Sequence, residues 1–212
     1  QTVSLFAHRH RLHHCIMNYE QTYLALIFDC DGTLTDSMPL HYVAWRRTLD
    51  RHGIDFPEDR FYAMGGVPTD KIIEILTGEQ GIVADVIAVA AEKEREFLLT
   101  LGDVRPNPPV CEIAKRHHGR MPMAVASGGI RSVVIDQLVK IEMHGHFDVI
   151  VAAEDTQRHK PEPDVFLEAA KRMAIPANRC LVFEDTDIGV TAAKRAGMDY
   201  VDVRTLRGQS NP

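Results

Sequence analysis

Residues 28–37 read Phe-Asp-Cys-Asp-Gly-Thr-Leu-Thr-Asp-Ser and place two carboxylates one residue apart, directly after an apolar run. The run, residues 23–28, is short and is soon followed by a glycine and a threonine, which predicts a buried strand and then a loop. Open α/β sheets bind ligands at this carboxyl end of their strands. In extended backbone the side chains at positions i and i+2 point the same way, so Asp29 and Asp31 are expected to converge.

Two carboxylates so close repel each other, and both stay ionised only beside a cation or by sharing a proton. The pair Asp29 and Asp31 therefore predicts a metal site with nucleophilic or acid–base chemistry, of the kind that phosphoryl transfer needs. A polar turn at the end of a strand is the alternative interpretation.

The composition is that of an ordinary globular protein. The chain has 212 residues, of which 45% are hydrophobic and 25% charged, enough for one sizeable core or two unequal lobes. The net charge is −6 and the basic residues are scattered, which argues against a nucleic-acid partner. No apolar stretch approaches the roughly 18 residues of a membrane span, so no membrane association is expected.

Cysteine usage indicates a reducing compartment. The four cysteines are far apart and form no Cys-x-x-Cys pair, which disfavours both zinc binding and disulfides. We therefore expect a cytoplasmic protein, and we expect it to be a monomer.

The first residues differ from the rest of the chain. Residues 1–19 are rich in basic and histidine side chains and show no helical or strand periodicity, which predicts a flexible N-terminal arm. Histidine clusters in such arms are more often non-catalytic than not.

Helical periodicity follows the first strand at residues 40–52, 69–76 and 84–101. We interpret the charged run at residues 92–96 as the solvated face of the last of these helices. A proline-rich stretch at residues 105–109 then breaks any helix and marks a boundary.

Beyond that boundary helical and strand-like stretches alternate, as they do around a parallel sheet. The sheet is thus split in sequence, and its first strand precedes the helical insertion. We predict an α/β core formed by residues 20–36 and 107–212, with a helical cap at residues 37–106 beside the carboxyl end of the first strand.

Three later segments each place a polar group directly after a predicted strand, where it can meet the two aspartates. Ser127 begins a Ser-Gly-Gly turn that suits a phosphate oxygen, although such turns also occur for geometry alone. Lys160 lies on a loop stiffened by two prolines and can neutralise a carboxylate, or it is simply an exposed lysine. Glu184 and Asp185 follow a third strand and resemble ligands of a hard metal such as magnesium.

These motifs, in this order, resemble those of the haloacid dehalogenase superfamily of phosphohydrolases. The resemblance covers nearly all of residues 20–206. Residues 160–166 and 183–198 are similar to the β-phosphoglucomutase-like subgroup, and within it the chain most resembles small sugar-phosphate phosphatases of the fructose-1-phosphate phosphatase type. The resemblance implies a Rossmann-like parallel-sheet core with a helical cap inserted after the first strand.

The resemblance also implies roles for individual residues. Asp29 would attack phosphorus and form an aspartyl-phosphate, while Asp31 would protonate the leaving oxygen and then activate water. The expected contacts to the substrate come from His41, Ser127, Gly128 and Lys160. The expected ligands of Mg²⁺ are Asp29, Asp31 through its carbonyl, Glu184 and Asp185. The partner implied is a small phosphorylated metabolite.

The cap separates the candidate activities. His41 matches a histidine of the sugar phosphomutases, but a histidine packed within a helix is an equal alternative. Those mutases carry an arginine near Gly66-Val67 for a second phosphate, and here Pro68-Thr69 stand instead, although Lys71 or Arg131 could compensate. We therefore favour a magnesium-dependent phosphatase. A sugar phosphomutase and a catalytically idle binding protein on the same fold are the alternatives.

Overall fold

The computed structural model describes residues 22–206, and within them five parallel strands form one sheet in the order β3-β2-β1-β4-β5. The strands are β1 (Ala25–Phe28), β2 (Met123–Ala126), β3 (Val149–Val151), β4 (Cys180–Glu184) and β5 (Asp199–Asp202). The first strand of the chain therefore lies at the centre of the sheet, between two strands that come much later in sequence.

Two groups of four α-helices follow β1 in the described part of the chain: the first group comes directly after β1, and the second consists of one helix that leads into β2 and three that follow it. The first group is α1 (Met38–Arg51), α2 (Glu58–Ala63), α3 (Thr69–Gln80) and α4 (Val86–Leu98). The second group is α5 (Pro108–His117), α6 (Arg131–Lys140), α7 (Asp164–Arg172) and α8 (Asp187–Arg195). The sequence pattern missed α2, because six residues are too few to show helical periodicity.

The three central strands are buried along their whole length, because helices cover both faces of the sheet. On one face Phe28 stacks on Phe183 with the ring centroids 4.7 Å apart, and Phe147 meets Phe28 edge to face. On the other face Ile27 and Phe166 belong to a second apolar cluster. This double-sided packing fixes the carboxyl edge of the sheet, where the polar side chains lie.

The inserted helices have an apolar core of their own. Trp45, Phe56, Phe61 and Leu76 are buried together there, and Trp45 meets Phe56 edge to face at 5.4 Å. The two segments that join this helical lobe to the sheet run side by side, since the Asp36 amide donates to the Arg105 carbonyl at 2.8 Å. We call residues 37–106 the cap.

The architecture confirms the predicted fold, a parallel α/β sheet with a helical segment inserted after the first strand. The predicted N-terminal arm lies outside the described residues. Within residues 22–206 no helix is both long enough and apolar enough to cross a membrane. Three cysteines fall in that part of the chain, and all three are buried free thiols: Cys30, Cys111 and Cys180.

Candidate active site

A cavity of about 90 Å³ lies between the carboxyl edge of the sheet and the cap. Its walls include most of the side chains that the sequence predicted as functional, namely Asp29, Asp31, His41, Ser127, Gly128 and Glu184. The predicted residues on separate strands and on the first cap helix thus meet at one place.

Asp29 directly follows β1 and is paired with a buried lysine. The Lys160 ammonium donates to Asp29 Oδ1 at 2.6 Å and to Glu184 Oε1 at 2.8 Å, and all three side chains are less than one-tenth exposed. Burial raises the pKa of the Asp29 carboxyl; Lys160 opposes this rise, whereas Glu184 and Asp185 add to it. Burial also lowers the pKa of Lys160, but the charges of Asp29 and Glu184 outweigh burial and raise it. The lysine is therefore a fixed cation beside Asp29.

Glu184 is held on every side by protein groups. Besides Lys160, the amide of Thr186 donates to its Oε2 at 2.6 Å and the hydroxyl of Thr186 does so at 3.0 Å. A Cβ built on Gly189 would stand 1.7 Å from Glu184 Oε1, so the carboxylate fills the space that this glycine leaves at the start of α8. The arrangement suits a carboxylate that positions Lys160.

Asp31 faces a different set of partners. Its Oδ1 accepts hydrogen bonds from Ser37 Oγ at 2.6 Å, His41 Nε2 at 2.8 Å and Gln137 Nε2 at 2.9 Å. Burial alone would raise the pKa of Asp31, but these three groups together lower it well below its usual range. Among the described residues, the side chains of the two aspartates thus have separate protein partners.

A buried lysine of the cap supports His41. Lys93 Nζ donates to His41 Nδ1 at 3.0 Å, and the His41 ring stacks on Phe97 with centroids 3.7 Å apart. Because an ammonium can only donate, His41 Nδ1 is the acceptor and Nε2 carries the hydrogen that Asp31 receives. Burial and the charge of Lys93 lower the pKa of His41, which keeps the ring neutral at pH 7.

The interpretation of residues 92–96 as a solvated face was wrong for Lys93, which is 4% exposed. A sequence signal for its burial exists. Val89, Lys93 and Phe97 recur every four residues in α4, which places the lysine on the apolar stripe that faces the rest of the protein.

The turn after β2 supplies a hydroxyl and two glycines. Ser127 Oγ accepts the amide of Gly129 at 3.0 Å, which leaves the hydroxyl hydrogen for another acceptor. A Cβ on Gly129 would lie 3.6 Å from Asp31 Oδ2, so this turn runs close to the free side of Asp31. A Cβ on Gly128 would stand 3.2 Å from the carbonyl oxygen of Gly66, so the absence of a side chain lets the cap approach the core closely.

Asp185 lies against the loop that follows β1. Thr33 Oγ1 donates to Asp185 Oδ1 at 3.0 Å, and a Cβ on Gly32 would stand 2.1 Å from Asp185 Oδ2. Gly32 has a φ of +81°, so the position favours glycine for its backbone as well. The Asp185 carboxylate is therefore held against the main chain just after Asp31.

The carboxylate oxygens of Asp29 and Asp185 fit a magnesium ion. No set of three or more His, Cys, Asp or Glu side chains in residues 22–206 is arranged to hold a metal. Magnesium usually needs only one or two carboxylates, with water and substrate phosphate as further ligands. Asp29 and Asp185 lie close enough for the charge of Asp185 to raise the pKa of Asp29, an excess of negative charge that a cation would relieve.

Comparison with known proteins gives consistent results. The sequence profile of the haloacid dehalogenase-like hydrolases matches residues 26–203. The chain is 39% identical over 188 residues to the fructose-1-phosphate phosphatase YqaB of Escherichia coli (strain K12), with 89% of this chain and 100% of that protein covered. It is 30% identical over 182 residues to the phosphorylated carbohydrates phosphatase of Thermotoga maritima, with 84% and 83% covered.

The fold is also similar to that of a solved structure, a β-phosphoglucomutase from Clostridium difficile. The TM-score is 0.78, and the likeness covers 87% of each chain. The sequences are 22% identical, so this similarity concerns the fold alone.

Proposed function

This chain belongs to the haloacid dehalogenase-like hydrolase family and, with two phosphatases similar to it over most of its length, is a phosphatase of phosphoric monoesters; we propose that its substrate is a small sugar phosphate or a related metabolite. The proposal rests on one observation above all. The segments that carry Asp29 and Asp31, Ser127, and Lys160 are far apart in sequence and meet beside one cavity: Asp29, Asp31 and Ser127 line it, Lys160 binds Asp29, and the cap forms the other wall.

Asp29 is the proposed nucleophile. Lys160 occupies its Oδ1, and among the described residues no hydrogen bond reaches Oδ2, which leaves that oxygen to attack phosphorus. Burial raises the pKa of this carboxyl, and the adjacent ammonium opposes that rise and so favours the ionised form that attack requires. Attack forms an aspartyl-phosphate on Asp29 and releases the sugar oxygen.

Asp31 is the proposed acid and base. Its Oδ1 holds three donors, so Oδ2 is the oxygen that would give a proton to the leaving sugar and later take one from the attacking water. The low pKa of Asp31 favours the base form. A bound phosphoryl group adds negative charge beside the carboxyl and raises its pKa, which favours the acid form when substrate is present.

Ser127, the turn at Gly128 and Lys160 would hold the oxygens of the phosphoryl group. Asp29, the Asp31 carbonyl and Asp185 would hold a magnesium ion. We leave Glu184 out of this set, because its carboxylate is already bound by Lys160 and Thr186. When bound, magnesium supplies positive charge that neutralises the phosphoryl oxygens during transfer.

The surroundings of the cap favour a phosphatase over a mutase. A mutase must hold a bisphosphorylated intermediate at both ends, and losing one charged contact would cost about 1.5–3 kcal/mol. The two residues that could replace the missing arginine are engaged elsewhere. Lys71 is half exposed and paired with Glu74 at 2.7 Å, and Arg131 is paired with Asp155. Neither lines the cavity.

The test is release of phosphate from a panel of sugar phosphates, with and without magnesium, while the sugar products are assayed. We expect free phosphate in proportion to free sugar, and loss of both in Asp29→Asn. Asp36→Asn is the matched control, because Asp36 is exposed and lies outside the cavity. Isomerised sugar phosphate with little free phosphate would instead identify a mutase, and no turnover of any substrate would indicate a binding protein.

A further inference from the structure

The cap wall of the cavity carries a carboxylate that the proposed chemistry does not use. Glu94 lies on α4 next to Lys93, lines the cavity opposite the sheet, and has a side chain that is 14% exposed. Its hydrogen-bond partner Thr69 is one of the two residues that replace the arginine which the resemblance to the mutases would lead one to expect.

One oxygen of Glu94 is fixed by the protein. Its Oε1 accepts hydrogen bonds from Thr69 Oγ1 at 2.8 Å and from Lys93 Nζ at 3.1 Å. Within residues 22–206 no hydrogen bond reaches Oε2. A carboxylate anchored through one oxygen thus presents the other as an acceptor.

The neighbouring cation, Lys93, is already paired with protein groups. Lys93 donates to His41 and to Glu94, and its ammonium also lies 5.4 Å from the centroid of the Trp45 ring and 5.7 Å from that of Phe97. The other lysine at the cavity, Lys160, is bound by two carboxylates next to the nucleophile. Both lysines in this part of the described structure are thus already paired, so a second anionic group on a substrate would meet the Glu94 carboxylate instead.

We propose that Glu94 determines substrate specificity, by accepting a hydrogen bond from a hydroxyl on the distal part of the substrate and by repelling a second phosphate or a carboxylate there. This inference rests on the proposed function and narrows it to phosphate monoesters of neutral polyhydroxyl compounds. Like charges desolvated together oppose binding, whereas a hydroxyl donor satisfies the exposed acceptor.

The test compares two ligands that differ by one phosphate, fructose 1-phosphate and fructose 1,6-bisphosphate. Their dissociation constants are measured by calorimetry on the Asp29→Asn protein, and kcat/KM is measured on the active enzyme. We expect the protein with Glu94 to bind the monophosphate more tightly than the bisphosphate. Glu94→Gln should reduce the ratio of the two dissociation constants about tenfold, mainly because the bisphosphate then binds more tightly.

Two further variants distinguish a specific effect of Glu94 from a general effect of charge or folding. Glu92→Gln removes the same charge from the same helix, but Glu92 faces Arg51 and His52 away from the cavity, so the preference should persist. Thr69→Val frees Glu94 Oε1 from one of its two anchors and should reduce the preference less than Glu94→Gln does. Melting temperatures establish that each variant folds.

Equal affinity of the wild-type wall for both ligands would overturn the proposal, and so would a folded Glu94→Gln protein with an unchanged preference. Failure of the proposed function looks different. The protein with Asp29 intact would then release no phosphate from any ester. A calorimetric preference for the monophosphate that depends on Glu94 would still support the role of Glu94 in specificity.

Discussion

Replacing Lys160 by methionine removes the cation from two buried carboxylates at once. The ammonium binds Asp29 and Glu184 at 2.6 and 2.8 Å, and their side chains are 9% and 1% exposed. Removing one partner from a buried charged cluster costs roughly 3–5 kcal/mol. A domain of this size loses about 2–4 °C of melting temperature per kcal/mol, so we expect Lys160→Met to melt roughly 6–20 °C below the wild type.

The deficit should depend on pH. Without the lysine, burial raises the folded-state pKa of Asp29 further above its unfolded value, so the folded variant binds more protons than the unfolded chain. Its stability then falls as pH rises from the unfolded pKa of about 4 towards the higher folded value. The gap to the wild type should therefore be smaller at pH 5 than at pH 8.

Thermal melting at both pH values and phosphate release at pH 7 measure these effects. We expect kcat to fall about 10²–10³-fold, as when a preorganised donor is removed from an active site. Lys171→Met is the matched control, because Lys171 is 77% exposed and pairs with Glu168 at the surface, where such pairs contribute little. A Lys160→Met protein that melts like the wild type and keeps its activity would refute the reasoning.

Three further outcomes are expected. Lys93→Met should raise the pKa of His41, because the charge of Lys93 lowers it, and should therefore shift the acidic limb of the pH profile of kcat/KM to higher pH. An acidic limb that does not move would show that the titration of His41 does not control catalysis. Gly32→Ala should push Asp185 aside and raise the magnesium concentration needed for half-maximal activity, whereas unchanged magnesium dependence would exclude Asp185 as a ligand. EDTA should abolish phosphate release and added magnesium restore it, and turnover that survives chelation would argue against the metal.

The sequence was most informative about functional residues at the carboxyl ends of the strands. Asp29, Ser127 and Glu184 follow buried apolar runs, and parallel strands bring their carboxyl ends to one edge, so local patterns implied a shared location. The predicted sheet and the helical insertion followed from the same patterns.

Partners that meet only through tertiary packing were not predictable in the same way. Gln137 lies on the buried side of α6, far along the chain from Asp31, and nothing in its neighbourhood distinguishes it from other helix residues. Lys93 was hidden within a charged run, although its four-residue spacing from Phe97 carried the signal. The spacing of Glu184 in the sequence does not determine whether its carboxylate binds Lys160 or a metal. That depends on where Lys160 lies in the folded protein.

The central position of β1 has a consequence for how the chain folds. Leu26 pairs with Met123 on one side and with Leu181 on the other, so the middle of the sheet has no partner until distant segments have been synthesised. The helices of the cap instead find their partners within residues 37–106, all of which precede β2 in the chain. During synthesis the cap can thus become ordered before β1 has paired with its neighbouring strands. The surroundings of Asp29 are completed only after Lys160 and Glu184 have been synthesised.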